Sequence, residues 1–209
     1  MNSSTPGAAP ARRSRLSLLL LFALFAAPVV LAWSLFYLFP DWRPHGTVNH
    51  GTLVQPVRPL PEFDLPTLER GRLGRDFLRG KWTLVYVGRG PCDEQCRSDL
   101  ARIRQLRLTQ GKNIDRLQRL FLWEAAEVPE AGRRDLASAF PGQVIAPLEA
   151  GTARDLIPVF AVDGRDPLAA RRLYLVDPLG NLMMFYEPDA DPRGMVKDLQ
   201  RLLKYSGLG

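Results

Sequence analysis

The stretch KWTLVYVGRGPCDEQCRSDLARIRQLRL, residues 81–108, contains both cysteines of the chain. The apolar run from Trp82 to Val87 predicts a buried strand, and the glycines and proline of the following GRGP segment predict a turn. From Asp93 onward apolar residues recur at helical spacing, which predicts a helix. Cys92 and Cys96 are four residues apart at its start and are therefore expected to face the same side. Such a pair can close a disulfide or hold one soft metal ion.

A long apolar segment occupies residues 16–39, which contain no charged side chain. This length predicts a transmembrane helix and exceeds the apolar region of a signal peptide. Arginines at positions 12, 13 and 15 predict that residues 1–15 form a cytoplasmic tail. The remainder of the chain would then lie across the membrane, which in a bacterium is the periplasm, where disulfides persist. We therefore expect a single-pass protein that residues 16–39 anchor in the bacterial inner membrane.

Residues 40–62 are rich in proline and predict an extended tether, followed by a folded domain over residues 63–209. Both histidines of the chain, His45 and His50, fall within this tether. They are interpreted as linker side chains close to the lipid headgroups. The alternative is that one of them reaches the cysteines as a metal ligand, because a flexible tether would permit it.

The charge of the chain does not indicate nucleic-acid binding. The formal net charge is +6, with 28 Lys and Arg against 22 Asp and Glu. Basic and acidic residues are interspersed, whereas nucleic-acid binding needs a concentrated basic stripe, often with aromatic side chains for stacking. We therefore interpret the charge as solvated surface and expect no nucleic-acid partner.

The pattern on both sides of the cysteine stretch predicts alternating strands and helices. Residues 63–80 predict a short hairpin, residues 120–123 a buried strand and residues 129–140 a helix. Two apolar runs around a DPLGN turn predict a β-hairpin over residues 172–186, and Asp191 followed by proline predicts the cap of a C-terminal helix. This order predicts an α/β fold, with a thioredoxin-like domain behind a single N-terminal transmembrane helix.

With these features the chain resembles the Sco/SenC family, which consists of membrane-anchored thioredoxin-like proteins of cytochrome c oxidase assembly. The resemblance rests on the N-terminal span, on the Cys-x3-Cys turn in GPCDEQC, and on LYLVDPLGNL, which is similar to that family's YLIDPxG segment. It implies that cytochrome c oxidase subunits or assembly factors are partners. It also implies that Cys92 and Cys96 are a redox pair or ligands of Cu(I).

One position departs from the family pattern. The family binds copper with its two cysteines and with a histidine about eight residues before the aspartate of the DP turn. Here that position is Ala169, and the segment DPLAARR, residues 166–172, contains no histidine. We therefore expect a two-thiolate site to bind Cu(I) more weakly than the family's three-ligand site does, and to bind Cu(II) poorly.

Three functions remain open from the sequence. The first is an assembly factor for a respiratory oxidase that acts through thiol redox chemistry or Cu(I) transfer. The second is a thiol-disulfide oxidoreductase with a narrow range of partners, although Ala170, Arg171 and Arg172 stand where thioredoxin-type enzymes carry a cis-proline. The third is a non-catalytic interaction module of a respiratory complex with a structural disulfide.

The charges next to the cysteines point in opposite directions. Arg89 and Arg97 flank the pair and would favour thiolates, whereas Asp93 and Glu94 would oppose them. Which effect dominates depends on the directions of these side chains, so the sequence leaves the question open.

Overall fold

The computed structural model describes residues 11–38, 49–69 and 71–207. The chain divides into two units, Met1–Thr47 and Val48–Gly209. In the first unit, helix α1 spans Ala11–Leu38, and its part from Arg15 to Leu38 is long and apolar enough to cross a membrane. The predicted apolar helix is therefore present, while Phe39, its expected last residue, lies outside the described residues.

Part of the expected tail over residues 1–15 has helical structure. Helix α1 begins at Ala11, so residues 11–15 are helical. Alanine and arginine are both good helix formers, which allows the apolar helix to extend toward the N-terminus. Residues 1–10 lie outside the described residues.

The second unit is built on a six-stranded sheet with the strand order β1-β8-β7-β4-β5-β6. Strands β4, β5 and β6 are parallel, and β7, β8 and β1 are joined to them by antiparallel pairing. Strands β2 and β3 form a separate hairpin. The bounds are β1 Thr52–Pro59, β2 Asp64–Thr67, β3 Gly71–Gly74, β4 Trp82–Arg89, β5 Leu117–Glu124, β6 Val144–Pro147, β7 Leu173–Val176 and β8 Asn181–Tyr186.

Helices cover both faces of this sheet, as a thioredoxin-like α/β arrangement requires. Buried residues of α2, α3 and α6 pack on one face, and α4 packs on the other face with the β2-β3 hairpin. Helix α5 is a single turn that precedes β7. The bounds are α2 Glu94–Leu108, α3 Glu130–Ala139, α4 Ala150–Leu156, α5 Pro167–Ala170 and α6 Pro192–Tyr205.

The expected tether over residues 40–62 is wrong for its second half. Residues 52–59 form β1, an edge strand that pairs with β8, so the folded domain begins well before residue 63. An edge position tolerates prolines because one side of the strand needs no N–H donors, and this explains how Pro56 and Pro59 fit. Val54 and Leu60 are buried in the core, a contact that the proline content of the segment concealed.

Several local predictions are confirmed. The strand before the cysteines, the helix after them and the DPLGN hairpin all form. In the hairpin turn Asp177 accepts hydrogen bonds from the N–H groups of Leu179 and Asn181, both at 2.9 Å. Asp191 caps α6 through bonds from the N–H groups of Arg193 and Gly194, with Pro192 at the first helical position.

Candidate functional site

The cysteines lie where β4 ends and α2 begins, at the carboxyl end of a parallel strand, which is where α/β sheets commonly hold their sites. Two bonds hold the intervening loop to β5. The N–H of Gly90 donates to the carbonyl of Glu124 at 2.9 Å, and the indole of Trp123 donates to the carbonyl of Gly90 at 2.8 Å. Gly90 has a φ of +65°, a conformation that favours glycine. Hydrogen bonds to β5 therefore fix the loop that presents the cysteines.

Cys92 and Cys96 form a disulfide, with their Cα atoms 5.2 Å apart. Our expectation of two cysteines facing the same side, within bonding distance, is confirmed. Asp93 caps the helix between them, since its carboxylate accepts from the N–H of Cys96 at 2.7 Å. Both cysteines are half-buried and pack against the core on the α2 side of the sheet.

A pocket of about 180 Å³ lies beside the disulfide. Its walls include Cys96, the backbone turn at Gly88–Pro91, and Ala169 of α5. Three aromatic side chains of β4 and β5 also line it, with neighbouring ring centroids 5.3 and 5.6 Å apart: Tyr86, Phe121 and Trp123. The pocket is thus partly apolar, and Cys96 of the disulfide forms part of its wall.

The flanking arginines are occupied by carboxylates outside the cysteine turn. Arg89 forms an ion pair with Asp166, the residue that caps α5. Arg97 forms an ion pair with Asp135 of α3 at 2.6 Å. Both arginines are thus paired with carboxylates of other elements, so neither is an uncompensated positive charge beside the cysteines.

Sequence reasoning missed a buried carboxylate one turn below Cys96. The side chain of Asp99 on α2 is 4% exposed and accepts hydrogen bonds from the Tyr86 hydroxyl at 3.0 Å and from Arg171 at 2.9 Å. Arg102 completes the group at 3.3 Å. Because Tyr86 and Arg171 also line the pocket, Asp99 holds two of its walls in place.

Two further features characterise the cluster around Asp99. Burial, and after it the negative charge of Asp99, raises the pKa of the Tyr86 hydroxyl, so this group stays protonated as a hydrogen-bond donor. Arg171 has a φ of +55°, a left-handed conformation that is unfavourable for a residue with a side chain. An acidic residue on the otherwise apolar face of α2, next to Leu100, is the sequence signal that could have indicated this cluster.

The histidines do not complete a metal site in the described part of the chain. His45 lies outside the described residues. The backbone N–H of His50 donates to Asp198 of α6 at 2.8 Å, and its ring Nδ1 lies 3.2 Å from the same carboxylate. Within residues 11–38, 49–69 and 71–207 no group of three His, Cys, Asp or Glu side chains is suitably placed to hold a metal. His50 therefore belongs to the folded domain rather than to a free tether.

The family described as "Transmembrane-like, thioredoxin-like, C-terminal domain" matches residues 82–206. The chain belongs to this family. The matched residues contain the disulfide, the pocket and every helix from α2 to α6. No curated protein is similar enough in sequence to match the chain.

Solved structures share the fold of this family member. Bradyrhizobium japonicum ScoI with copper bound is 21% identical at a TM-score of 0.56, with 68% of this chain and 98% of that chain covered. Yeast Sco1 with copper bound is 18% identical at 0.60, with 71% and 90% covered. A thiol:disulfide interchange protein from Bacteroides sp. is 12% identical at 0.54, with 72% and 91% covered. The Sco-like, thioredoxin-like fold expected from the sequence is therefore confirmed.

Proposed function

We propose that this chain is a membrane-anchored thiol-redox protein that assists cytochrome c oxidase assembly through the Cys92–Cys96 pair. The observation that carries the proposal is the disulfide itself, which joins two half-buried positions one helical turn apart beside a pocket. A partner can reach such a bond without unfolding the domain. Reduction would leave two thiols at the N-terminus of α2, where the helix dipole stabilises a thiolate.

A purely structural role for this disulfide is the weaker reading. The bond closes a loop of five residues, and in the chain-entropy model so short a loop contributes about 2 kcal/mol. The same turn is already held by the Asp93 cap and by the bond from Trp123 to Gly90. The disulfide therefore adds little order that other contacts do not supply.

The reaction needs a partner protein with two thiols of its own. A partner thiolate attacks one sulfur of the Cys92–Cys96 bond, which breaks to leave a mixed disulfide and one free thiolate. The second partner thiolate then attacks the mixed disulfide and releases the remaining cysteine. Two electrons and two protons pass to this chain, while the partner leaves with a new disulfide. In the opposite direction the same steps reduce a partner disulfide.

Copper transfer is the second candidate, and the reduced pair would bind copper as cargo. Two thiolates on adjacent turns suit Cu(I), a soft ion that accepts two ligands. The family's third ligand has no counterpart here, because Ala169 lines the pocket with Cys96 and the His50 ring lies beside Asp198 on α6. The residues present therefore fit a two-thiolate site for Cu(I) and do not fit a Cys2His site.

Ala169→His tests this second candidate. If the pocket position of Ala169 corresponds to the family histidine, the reduced variant should hold Cu(I) at least about tenfold more tightly than wild type in competition with a Cu(I) chelator. Cys92→Ser and Cys96→Ser should each abolish uptake. Equal affinities of wild type and A169H would argue against the pocket as a copper site.

The cellular part of the proposal rests on the span and on the Sco-like fold. The arginines before the span support a cytoplasmic N-terminus, which puts the domain in the periplasm. Alkaline phosphatase fused after Gly209 should then be active, and an inactive fusion with an active cytoplasmic reporter would reverse the orientation.

The assembly role has its own test in cells. Replacing both cysteines by serine in the producing bacterium should lower cytochrome c oxidase activity, with the variant present at normal amounts in the membrane. Ser98→Ala, an exposed change on the same helix, is the matched control. Full oxidase activity in the double-serine strain would contradict a role of the cysteines in assembly.

A further inference from the structure

Helix α6 has one exposed face with four basic residues and one glutamine. At 100° per residue, Arg193, Lys197, Gln200, Arg201 and Lys204 fall within an arc of about 100°, and all five are exposed. The opposite face is buried against the sheet. No acidic side chain of α6 is exposed, because Asp198 is buried, and Asp191 precedes the helix as its cap. We call these five residues the basic face.

Three of the four cations on the basic face have no ion-pair partner in the described part of the domain. Arg193, Lys197 and Lys204 form no ion pair with any residue that the structure describes. Like charges four residues apart, as at 193 and 197, weaken a helix, and a cation in the first turn opposes the helix dipole. The arrangement thus costs helix stability, and an anion outside the domain would relieve that cost.

The chain enters the domain on this same helix. The N–H groups of His50 and Gly51 donate to the buried carboxylate of Asp198 at 2.8 and 2.9 Å. His50 also lies directly against Gly194, where an added Cβ would come within 2.6 Å of its ring. Gly194 and Asp198 flank the basic face, so the segment that leads from the apolar helix meets the domain beside it.

The length of the connecting segment limits how far the start of the folded domain can be from the end of the apolar helix. The candidate span ends at Leu38, and eleven residues lead from there to Asn49, so a fully extended chain reaches at most about 40 Å. The length of this segment therefore allows the basic face to reach a bilayer that holds α1. Tyr205, which is exposed and 5.2 Å from the ammonium of Lys204, adds an aromatic residue of the kind enriched at membrane interfaces.

We infer that the basic face of α6 docks on a bilayer surface that contains anionic phospholipid. Arginine and lysine bind such surfaces through charge, and this attraction is screened within a Debye length. Docking would leave the disulfide pocket on α2 and α5 available, because none of its lining residues belongs to α6. The domain would then present its cysteines in one orientation to a membrane-embedded partner.

The test uses the full chain, isotope-labelled, in nanodiscs of phosphatidylcholine alone or mixed with phosphatidylglycerol. A gadolinium chelate on a lipid headgroup enhances the relaxation of nearby backbone amides. In anionic discs, the enhancement on α6 should exceed that on α3 by about twofold or more. The difference should fade in 0.5 M salt, where the Debye length is about 4 Å.

Two double variants separate this face from net charge. Arg193→Gln with Lys197→Gln should remove the difference between α6 and α3. Arg134→Gln with Arg154→Gln removes the same charge from exposed positions of α3 and α4 and should leave the difference intact. Equal enhancement of α6 and α3 in anionic discs would overturn the inference. An excess of enhancement on α6 over α3 that is equally large in phosphatidylcholine alone would also overturn the inference, because lipid charge would then not be its cause.

Discussion

Two buried carboxylates on the same face of the sheet show how one chemical group serves two purposes. Asp99 on α2 and Asp198 on α6 each accept a hydrogen bond from a buried tyrosine, at 3.0 Å from Tyr86 and at 3.4 Å from Tyr186. Burial, followed by the nearby carboxylate, raises the pKa of both hydroxyl groups. To this point the two sites are alike.

Their remaining partners differ. Asp99 is compensated by the guanidinium groups of Arg102 and Arg171, and Arg171 lines the disulfide pocket. Asp198 is compensated by the backbone N–H groups of His50 and Gly51. The first site pairs its carboxylate with two guanidinium groups, one of which lines the pocket, whereas the second binds backbone N–H groups at the start of the domain. We therefore propose that Asp198 supports the architecture of the domain and that Asp99 supports the disulfide pocket.

The largest effect is expected at Asp198. Asp198→Ala leaves two backbone N–H groups without an acceptor and releases the chain before β1, so the free energy of unfolding should fall by about 4 kcal/mol. Urea unfolding of the full chain in detergent measures this. The midpoint potential of the cysteine pair should stay unchanged, and a shift of that potential would contradict the division of roles.

A smaller loss and a redox change are expected at Asp99. Asp99→Asn should lower the free energy of unfolding by about 2 kcal/mol, because Arg171 is 36% exposed and can turn to water. The uncompensated guanidinium should stabilise the reduced pair and raise its midpoint potential by about 30 mV. Asp198→Asn is the matched control and should leave the potential unchanged. Equal potentials in the two variants would remove Asp99 from the redox site.

The smallest effect on stability is expected at the ion pair between Arg172 and Glu187. Arg171 binds Asp99, whereas the side chain of Arg172 is 1% exposed and binds Glu187 at 2.5 Å. This hydrogen bond lowers the pKa of Glu187 below its usual value of 4.5. A lowered pKa in the folded state means that the stabilisation is present above pH 4.5 and is lost as the pH falls through the lower, folded value.

Thermal unfolding between about pH 5 and pH 3 checks this dependence. Wild type should lose about 1 kcal/mol more than Glu187→Gln over that range, a value that allows for the partial exposure of Glu187. Glu149→Gln, which removes an exposed partner of Arg72, should follow the wild-type curve. Identical curves for wild type and E187Q would show that the pair is not linked to pH.

The sequence predicted what depends on local patterns. The cysteine strand and helix, the DPLGN hairpin and the Asp191 cap follow from periodicity and turn residues within a few positions. Strand β1 was not predicted, because its prolines are compatible with a strand only at the edge of a sheet, and the local sequence does not show that position. Asp99 was missed for a related reason, since its partner Arg171 is 72 residues away in sequence. The acidic residue on the apolar face of α2 is a local signal, but its distant partner cannot be identified from the local pattern.

The proposed redox function depends most on the disulfide being reversible within the folded domain. The direct measurement equilibrates the full chain in dithiothreitol buffers, counts alkylated cysteines by mass, and follows near-ultraviolet circular dichroism of the aromatic residues at the pocket. We predict that Cys92 and Cys96 become alkylated together while the folded spectrum and cooperative unfolding persist, and that reoxidation restores the bond. Alkylation that occurs only when the spectrum of the fold is lost would show a structural disulfide and contradict the proposed redox function.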